Sequence, residues 1–577
     1  MIKEKIKQLI KNSIKNLQNE GKFIEFEIPE IVVEYPKDKQ HGDYSTNISL
    51  QIAKIIKKKP LEIANILADQ LINSRRDLFE KVEVAAPGFI NFFISKEYLQ
   101  RQIKEILKQK EKFGGQNIGK NRAVMVDYSS PNVAKPMHVG HLRSTIIGSA
   151  IYNLYKFLGY KVIGDNHLGD WGTQFGIMIS AYKKYKSEIP NLKDITVSKM
   201  LDIYVKFNKE IKNSPELQDI AKSEFKKLED GDRENRKIWR IIRGKSLKEF
   251  DKIYKILDIK FDLVLGESFY GKYLIEEIRN ALKKGIAVRN SDRSVIINLE
   301  KFNLPPCLIQ KSDGATLYGT RDLATIRYRV KKYDPDKIIY VVGNEQALHF
   351  EQLFHSAELL DYISYDKLYH MKFGLVLGEN RKKLSTREGR FINADHLINK
   401  VVELANKTIK EKNPSLPKKI REEASKVIGI GALKYNDLSQ NRQTNIVFDW
   451  NKMMNFKGNS APYLLYTYVR LKSILRKAKF SGKFKPEFLE GEIELNIIKK
   501  LTNFPDIVKD SADSFQINNL TDYLYLLASF VNNFYEKLPV LKAEKEIKLV
   551  RLALIKAVTI VFKNGLNLLG IKTLEKM

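Results

Sequence analysis

Cysteine is almost absent from this 577-residue chain, which contains Cys307 and no other. One thiol excludes a disulfide framework and any zinc site built on cysteine pairs, so no protein-bound zinc is expected and Cys307 is interpreted as a small buried side chain. Long apolar runs are also missing, and the first residues predict a charged amphipathic helix. We therefore expect a cytoplasmic protein without a membrane partner.

Acidic residues are scarce relative to basic ones, with 69 Asp and Glu against 100 Lys and Arg, which gives a formal net charge of +31. A strongly basic protein attracts polyanions such as nucleic acid. Lysine runs such as residues 57–59 are equally compatible with solvated helix faces. The charge favours a nucleic-acid partner without deciding for one.

The length and a hydrophobic content of 43% predict several domains. Residues 1–115 alternate helical and strand-like segments, which predicts an α+β module that ends near the Gly114-Gly115 pair. Residues 116–395 predict a Rossmann-like, doubly wound parallel sheet with a mostly helical insertion at about 182–302. Residues 396–577 predict an α-helical bundle. The fold class is therefore a multidomain α/β protein.

The first βαβ unit of the predicted sheet carries two histidines at its strand-to-helix turn. A strand near Val124 is followed by His138-Val139-Gly140-His141 and a helix from about Val139 to Leu158. The first N–H groups of a helix are unpaired and attract phosphate, while glycine lets a flat base approach the backbone. The two imidazoles are equally compatible with a capped, solvated helix start.

A second candidate phosphate-binding element lies at residues 382–389. Basic and hydroxyl side chains, including Lys383, Ser385 and Arg387, follow a strand at residues 375–377 and a turn with Gly378. Such a loop can neutralise charge on a departing pyrophosphate. A solvated basic turn is the alternative.

The paired motifs at 138–141 and 383–387 resemble the two signatures of class I aminoacyl-tRNA synthetases. The surrounding segments resemble the arginyl-tRNA synthetase family over most of the chain; they are residues 42–47, 127–136, 169–176, 318–324, 342–346, 349–350, 433–469 and 568–571. The resemblance implies an arginine–tRNA ligase. It would activate L-arginine with ATP and Mg²⁺, then transfer it to the 2′-hydroxyl of the terminal ribose of tRNA(Arg).

The resemblance also implies roles for individual residues. Catalysis is assigned to His138, His141, Lys135 and Lys383, and ATP binding to His138, Gly140, His141, Lys383, Ser385 and Arg387. Arginine binding is assigned to Asp127, Ser129, Asn132, Tyr318, Asp322 and Gln346. Selecting a guanidinium over an ammonium needs carboxylates placed for bidentate pairing, which suits Asp127 and Asp322. Turn or helix capping is the alternative for both.

One departure from the class I signature concerns charge. Thr386 stands where the general signature has a second lysine. In arginyl enzymes that lack this lysine, one just upstream of the histidine motif is thought to substitute, and Lys135 has that position. Arg387 is the alternative source of charge.

Contacts with tRNA are implied for both ends of the chain. In the N-terminal module they are assigned to Tyr44 and Asn47, and in the helical bundle to Asn441, Arg442 and Tyr463. Splayed bases stack on aromatic rings and hydrogen-bond to amides. A buried core position is the alternative for the tyrosines.

Two other functions compete with this interpretation. One is a class I synthetase for another amino acid: a cysteinyl enzyme would need zinc ligated by cysteines, and an aliphatic-residue enzyme would need an apolar pocket and usually an editing insertion. A noncatalytic tRNA-binding paralogue would not need the histidine motif or Asp322. A monomer is the default expectation.

Overall fold

The computed structural model describes residues 1–189, 191–377, 393–447, 449–480 and 482–577. Its N-terminal unit is the predicted α+β module. The elements are α1 (Ile2–Asn19), β1 (Val33–Glu34), β2 (Tyr44–Thr46), α2 (Ile48–Ile56), α3 (Pro60–Ser74), β3 (Phe79–Ala85), β4 (Phe89–Ile94) and α4 (Lys96–Gln109). The four strands form an antiparallel sheet in the order β1-β2-β4-β3. The helices cover it with apolar faces, such as Ile6, Ile10 and Ile14 of α1.

The predicted βαβ unit follows. It consists of β5 (Ala123–Asp127), α5 (Val139–Phe157) and β6 (Lys161–Asp165), and α6 (Thr173–Lys184) comes next. The strands pair in parallel, with Asp127 opposite Asp165 at their carboxyl ends. The motif at 138–141 therefore lies at the start of the helix that connects the two strands.

The insertion is mainly helical, as predicted, but it ends in strands. Its elements are α7 (Val197–Asn213), α8 (Glu216–Asp230), α9 (Arg233–Leu257), α10 (Glu267–Tyr270), α11 (Leu274–Lys283), β7 (Ala287–Arg289) and β8 (Val295–Ile297). β9 (Cys307–Gln310) joins them in a three-stranded antiparallel sheet. Strands of three or four residues with charged neighbours give too short an alternation to stand out in the sequence. Cys307 is buried, as predicted, and burial raises the pKa of its thiol to about 11.

The second half of the parallel sheet completes the nucleotide-binding fold. It contains α12 (Tyr318–Tyr333), β10 (Lys337–Tyr340), α13 (Ala347–Leu359) and β11 (Leu368–His370). The sheet order is β11-β10-β5-β6, with all pairs parallel. From β5 the chain therefore continues to β6 on one side of that strand, and it later returns to β10 on the opposite side. That reversal creates the crevice where doubly wound sheets bind ligands.

One predicted strand lies elsewhere. Residues 375–377 were predicted as part of the parallel sheet, but the strand β12 (Val376–Leu377) pairs with β13 (Ile446–Val447) of the C-terminal region. The true fourth strand is β11, which is only three residues long. Sequence alternation shows a strand but does not specify its partner.

The C-terminal region is helical apart from β13. Its helices are α14 (Ala394–Lys412), α15 (Lys418–Leu438), α16 (Trp450–Met453), α17 (Ala461–Ala478), α18 (Glu492–Asp513), α19 (Asn518–Lys537) and α20 (Lys545–Leu568). No helix in the described part of the chain is long and apolar enough to cross a membrane.

Two hydrophobic cores meet at the parallel sheet. Val124 and Val126 of β5 face the larger core, which extends into both terminal regions, whereas Met125 faces a second core beneath β7–β9 and α11–α13. Side chains along a strand alternate between faces, so β5 is buried on both sides. The predicted fold class is confirmed.

Candidate active site

A cleft of about 330 Å³ opens at the crevice between β5 and β10. We call it the central cleft. Its walls come from the ends of both strands, from the start of α5 and from the segment before β12. The lining residues are Ser129, Ser130, His138, Val139, Gly140, His141, Ser144, Val341, Val342, Gly343, Glu345, Phe373, Leu375 and Val376.

His138 and His141 are brought together at the start of α5. Their rings stack with centroids 3.8 Å apart. The Nδ1 atom of His138 accepts from the amide of Gly140 at 3.1 Å, and Nδ1 of His141 accepts from the amide of His138 at 3.3 Å. Both imidazoles therefore cap the helix and line the cleft.

The histidine rings are neutral in this environment. Burial and, to a smaller extent, the nearby charge of Lys135 together lower the pKa of His138 to about 4. Burial also lowers the pKa of His141 well below its usual value, with His138 and Lys135 acting in the same direction. Because each Nδ1 is an acceptor, each neutral ring carries its proton on Nε2. The pair offers two N–H donors and no positive charge.

Lys135 supplies positive charge beside these rings. Its ammonium group lies 4.8 Å from the centroid of the Tyr204 ring of α7, and its charge acts on both histidines. The predicted loop residues Lys383, Ser385 and Arg387 lie outside the described residues. Thr386 also lies outside them.

The loop after β5 is held in an uncommon backbone conformation. Ser129, Ser130 and Ala134 have φ angles of 72°, 44° and 67°. Such angles are costly without glycine and persist where surrounding contacts impose them. Here α9 holds two of these residues, since Tyr254 Oη lies 2.8 Å from Ser129 Oγ and Ser246 Oγ accepts from the amide of Ala134 at 3.0 Å.

The predicted arginine-binding residues Tyr318 and Asp322 lie on the first turns of α12. Asp322 Oδ2 is 2.7 Å from His349 Nε2, and the exposed Tyr318 ring packs edge-on against His349 at 4.8 Å. Burial opposes ionisation of Asp322, but the His349 hydrogen bond and charge outweigh it and lower the pKa of the carboxyl. Asp322 is therefore a carboxylate at neutral pH.

Glu267 is a second carboxyl beside Asp322 that the sequence did not single out. Burial raises its pKa to about 7, and the charges of Asp322 and Asp170 act in the same direction, whereas Arg321 and His167 oppose them. Its Oε2 atom is 3.4 Å from Arg321 Nη1. We call Asp322, Glu267, Tyr318 and His349 the acidic pocket. Glu267 comes from the insertion, where a glutamate within charged helices resembles a solvated residue.

Asp170 fixes the position of Glu267. The buried Asp170 carboxylate accepts from the Ser268 amide at 2.9 Å and from Arg243 Nε at 2.7 Å, and the amide of Glu267 donates to Leu168 O. These bonds tie α10 and α9 to the loop after β6. The acidic pocket thus lies at the same edge of the sheet as the central cleft.

Asp127 is engaged by an internal arginine. Arg329 of α12 places Nη2 2.6 Å from Asp127 Oδ2 and 2.8 Å from Asp165 Oδ2, and all three residues are buried. Burial opposes the charge on Arg329, but the two aspartates outweigh it and raise the pKa of the guanidinium. Asp127 therefore binds a guanidinium of its own chain, where the sequence predicted that of a substrate. The sequence places a carboxylate at the end of β5, but it does not reveal which positively charged group pairs with that carboxylate.

The other predicted arginine-binding residues surround the pocket. Asn132 is exposed and forms a bridge with Gly169, Gln346 is exposed at the start of α13, and Ser129 Oγ is buried between Thr145 and Tyr254. Asn132 and Gln346 are therefore accessible to a ligand. The Ser129 hydroxyl is used to hold the loop.

The residues predicted to contact tRNA have different environments. Tyr44 is only 2% exposed and its hydroxyl donates to Asn503 of α18, so neither face of the ring is open to a base. Arg442 donates to the carbonyls of Lys372 and Phe515 and links two regions of the chain. Asn441 is exposed, whereas Asn47 and Tyr463 are half-buried.

No group of three or more His, Cys, Asp or Glu side chains suited to a metal occurs among the residues that the structure describes.

Comparisons with known proteins show the family to which the chain belongs. A sequence model described as tRNA synthetases class I (R), catalytic domain, matches residues 102–450. The chain belongs to the arginyl-tRNA synthetase family. Models for the arginyl-tRNA synthetase N-terminal domain and the DALR anticodon binding domain match residues 4–94 and 464–577. The order agrees with the three predicted units, whose boundaries stay predictions.

Members of the arginyl-tRNA synthetase family resemble the chain over its whole length. An arginine–tRNA ligase of Clostridium botulinum (strain Langeland) is 42% identical over 98% of this chain and 100% of its own, and one of Fusobacterium nucleatum is 40% identical over 97% of each. The crystal structure of the Plasmodium falciparum arginyl-tRNA synthetase has a TM-score of 0.85, 28% identity and coverage of 100% and 99%. The Thermus thermophilus enzyme, at 22% identity, shows the same fold with a TM-score of 0.85.

Proposed function

We propose that this protein is an arginine–tRNA ligase that joins L-arginine to tRNA(Arg) at the expense of ATP. The observation that carries the proposal is the acidic pocket beside the central cleft, within a chain of the arginyl-tRNA synthetase family. A cationic side chain and a nucleotide can then be held at the same edge of one sheet.

Asp322 and Glu267 recognise the arginine side chain. A guanidinium is planar and permanently charged, and two carboxylates suit its forked donors better than they suit an ammonium. Tyr318 covers the side chain, while Asn132 and Gln346 contact the amino acid near the cleft. Asp127 stays with Arg329 and supports the end of β5.

ATP occupies the central cleft, with the adenosine against Gly140 and the phosphates towards Lys135. The arginine carboxylate is already ionised, so its attack on the α-phosphate needs alignment and charge stabilisation rather than a general base. The Nε2–H groups of His138 and His141 donate to the phosphates, and Lys135 supplies positive charge. Lys383, Ser385 and Arg387 remain candidates for the pyrophosphate side. Mg²⁺ enters with ATP and is held by its phosphates.

The terminal domains bind the tRNA in this proposal. The N-terminal module holds the outer corner of the tRNA, with Asn47 as a candidate contact, and the helical bundle meets the anticodon region near Asn441 and Tyr463. A net charge of +31 favours such binding at low salt. We further propose a cytoplasmic monomer.

Amino-acid-dependent ATP–pyrophosphate exchange tests the function. The purified chain is assayed with each amino acid in turn, with and without total tRNA, and charging of tRNA is measured in parallel. We expect exchange and charging with L-arginine. Exchange with lysine but not arginine would overturn the role of the acidic pocket.

A further inference from the structure

Arg143 of α5 lies at a junction of the catalytic sheet, the wall of the central cleft and the C-terminal helices. Its side chain is fully buried two residues after His141. Nε donates to Asp437 Oδ1 of α15 at 3.0 Å, Nη1 donates to Gly374 O at 2.7 Å and to Thr444 O at 3.1 Å, and Nη2 donates to Arg442 O at 3.1 Å. One planar group thus joins three parts of the chain.

The carbonyls that Arg143 binds belong to the two segments that continue into β12 and β13. These strands pair in parallel, with Val376 opposite Ile446. Phe373, Leu375 and Val376 of the first segment line the central cleft across from the histidines. The Phe373 ring itself lies 5.8 Å from the Arg143 guanidinium carbon. Arg143 therefore provides the buried charged link between this wall and the start of α5, beside the apolar contacts of Val139, Leu142 and Ile146.

Asp437 is the counter-charge of this junction. Burial raises the pKa of its carboxyl to about 6, although the charge and hydrogen bond of Arg143 oppose the shift. Buried ion pairs contribute little net stability because desolvation offsets their attraction, but they impose a defined geometry. Lysine could not reproduce the arrangement, since its compact ammonium lacks the planar fork of a guanidinium.

We propose that Arg143 is a positioning residue for ATP, which sets the cleft wall at 373–376 against His138 and His141 and is oriented by Asp437 from the C-terminal helices. The inference rests on the proposed binding of ATP in the central cleft. It makes nucleotide binding dependent on contact between the catalytic sheet and α15. The acidic pocket lies outside this contact, so arginine binding is not affected.

Substitutions of both partners test the role. For Arg143→Lys we expect the KM for ATP in pyrophosphate exchange to rise about 10-fold, corresponding to the loss of one or two charge-assisted hydrogen bonds. For Arg143→Gln we expect a rise of about 100-fold, because the wall is then misplaced. The KM for arginine should stay within about twofold in both variants. Asp437→Asn should resemble Arg143→Lys.

Arg551→Gln is the matched control. Arg551 Nε lies 2.7 Å from Glu494 Oε1 in a largely buried pair within the C-terminal helices, and neither residue lines the central cleft. We expect it to lower thermal stability and leave the KM for ATP unchanged. If Arg143→Gln does not fold, Arg143→Lys and Asp437→Asn decide the question.

Two results would overturn the role of Arg143 and leave the proposed function intact. One is an unchanged KM for ATP in folded Arg143 variants, and the other is an equal rise of the KM values for ATP and for arginine. Direct titration of the wild-type protein with ATP and Mg²⁺ separates the two proposals. A wild-type protein that neither binds ATP nor exchanges pyrophosphate overturns the proposed function.

Discussion

His138 and His141 are neutral rings, so each has an Nε2–H donor and no positive charge. Burial keeps both rings neutral, and the backbone amides that they accept leave the proton on Nε2 of each ring. When the arginine carboxylate attacks the α-phosphate of ATP, as proposed, the charge of the pentacoordinate transition state must then be balanced by another group. Lys135 does not line the central cleft, but its charge acts on both histidines at the edge of that cleft.

Lys135→Ala should lower the rate of ATP–pyrophosphate exchange about 100-fold, because a charged donor to the transition state is removed. The exchange rate with saturating arginine and ATP measures this effect. Lys161→Ala is the control, since Lys161 is exposed at the opposite end of the sheet, at the start of β6. A near-normal rate for Lys135→Ala would remove Lys135 from the mechanism and leave Arg387 as the candidate source of the missing charge.

The pH dependence of arginine binding should follow Glu267. Its pKa of about 7 makes the carboxyl neutral in acid, and a guanidinium prefers the ionised form. We therefore expect the KM for arginine to rise as pH falls below about 7, by at most tenfold per unit. The pKa of Asp322 is lowered, so Asp322 does not titrate in this range.

Kinetics between about pH 6 and pH 8 check this dependence. Glu267→Gln should weaken arginine binding and abolish its pH dependence. Asp322→Asn should weaken arginine binding at every pH, while the KM for arginine still depends on pH. A pH profile of Glu267→Gln that matches the wild type would exclude Glu267 from arginine recognition.

At the scale of elements, α5 packs closely against the loop after β5 because Gly148 has no side chain. A Cβ atom at Gly148 would lie 2.3 Å from Tyr128 Cβ, closer than packed atoms allow. Tyr128 is buried and precedes Ser129, where the strained part of the loop begins. The close approach therefore helps to place the cleft residues 129 and 130.

Gly148→Ala should destabilise the protein by about 1–3 kcal/mol, since Tyr128 and the loop must shift. Gly244→Ala in α9 is the control, because no atom lies within 4 Å of its added Cβ and alanine should stabilise the helix by about 0.4–1 kcal/mol. Thermal unfolding of both variants measures the difference. Equal melting temperatures would show that the loop adapts freely.

The helix α9 connects separate parts of the site. Its 25 residues bind the loops after β5 and β6 through Arg243, Ser246 and Tyr254, and its last carbonyl contacts the C-terminal region. In the sequence it is a charged amphipathic helix within the insertion. Its hydrophobic period predicts the helix, but the targets of its polar residues depend on long-range packing.

At the scale of the whole molecule, Lys434 of α15 joins the insertion to the end of the C-terminal region, after α20. Its buried ammonium group donates to Leu257 O of α9 and to Gly570 O after α20, each at 2.6 Å. Burial lowers its pKa to about 8, while Asp258 opposes the shift and Lys572 reinforces it. Asp258 and Lys572 themselves form an exposed ion pair at 3.1 Å.

This junction should make stability depend on pH. Between about pH 8 and the ordinary lysine value of 10.5, the unfolded chain holds a proton that folded Lys434 has released. Raising the pH therefore favours the folded form at this residue. We expect the melting temperature of the wild type to rise relative to that of Lys434→Met between about pH 8 and pH 10. A constant difference would show that Lys434 is charged at both values.

The sequence by itself determined the family, the order of the units and the motif at 138–141. The parallel βαβ unit followed from local hydrophobic period, and the family followed from ordered motifs spread over most of the chain. The predicted family and activity class are confirmed by the relatives. Such features are carried by neighbouring residues and need no knowledge of packing.

Only the tertiary structure decided which carboxylates are open to a ligand. Asp127 was predicted to bind arginine but is paired with Arg329, 202 residues away, while Glu267 of the insertion lies beside Asp322. Tyr44 was predicted to meet tRNA but is buried against α18. Burial and pairing of a charge depend on residues distant in sequence, so a residue type and its spacing do not specify them.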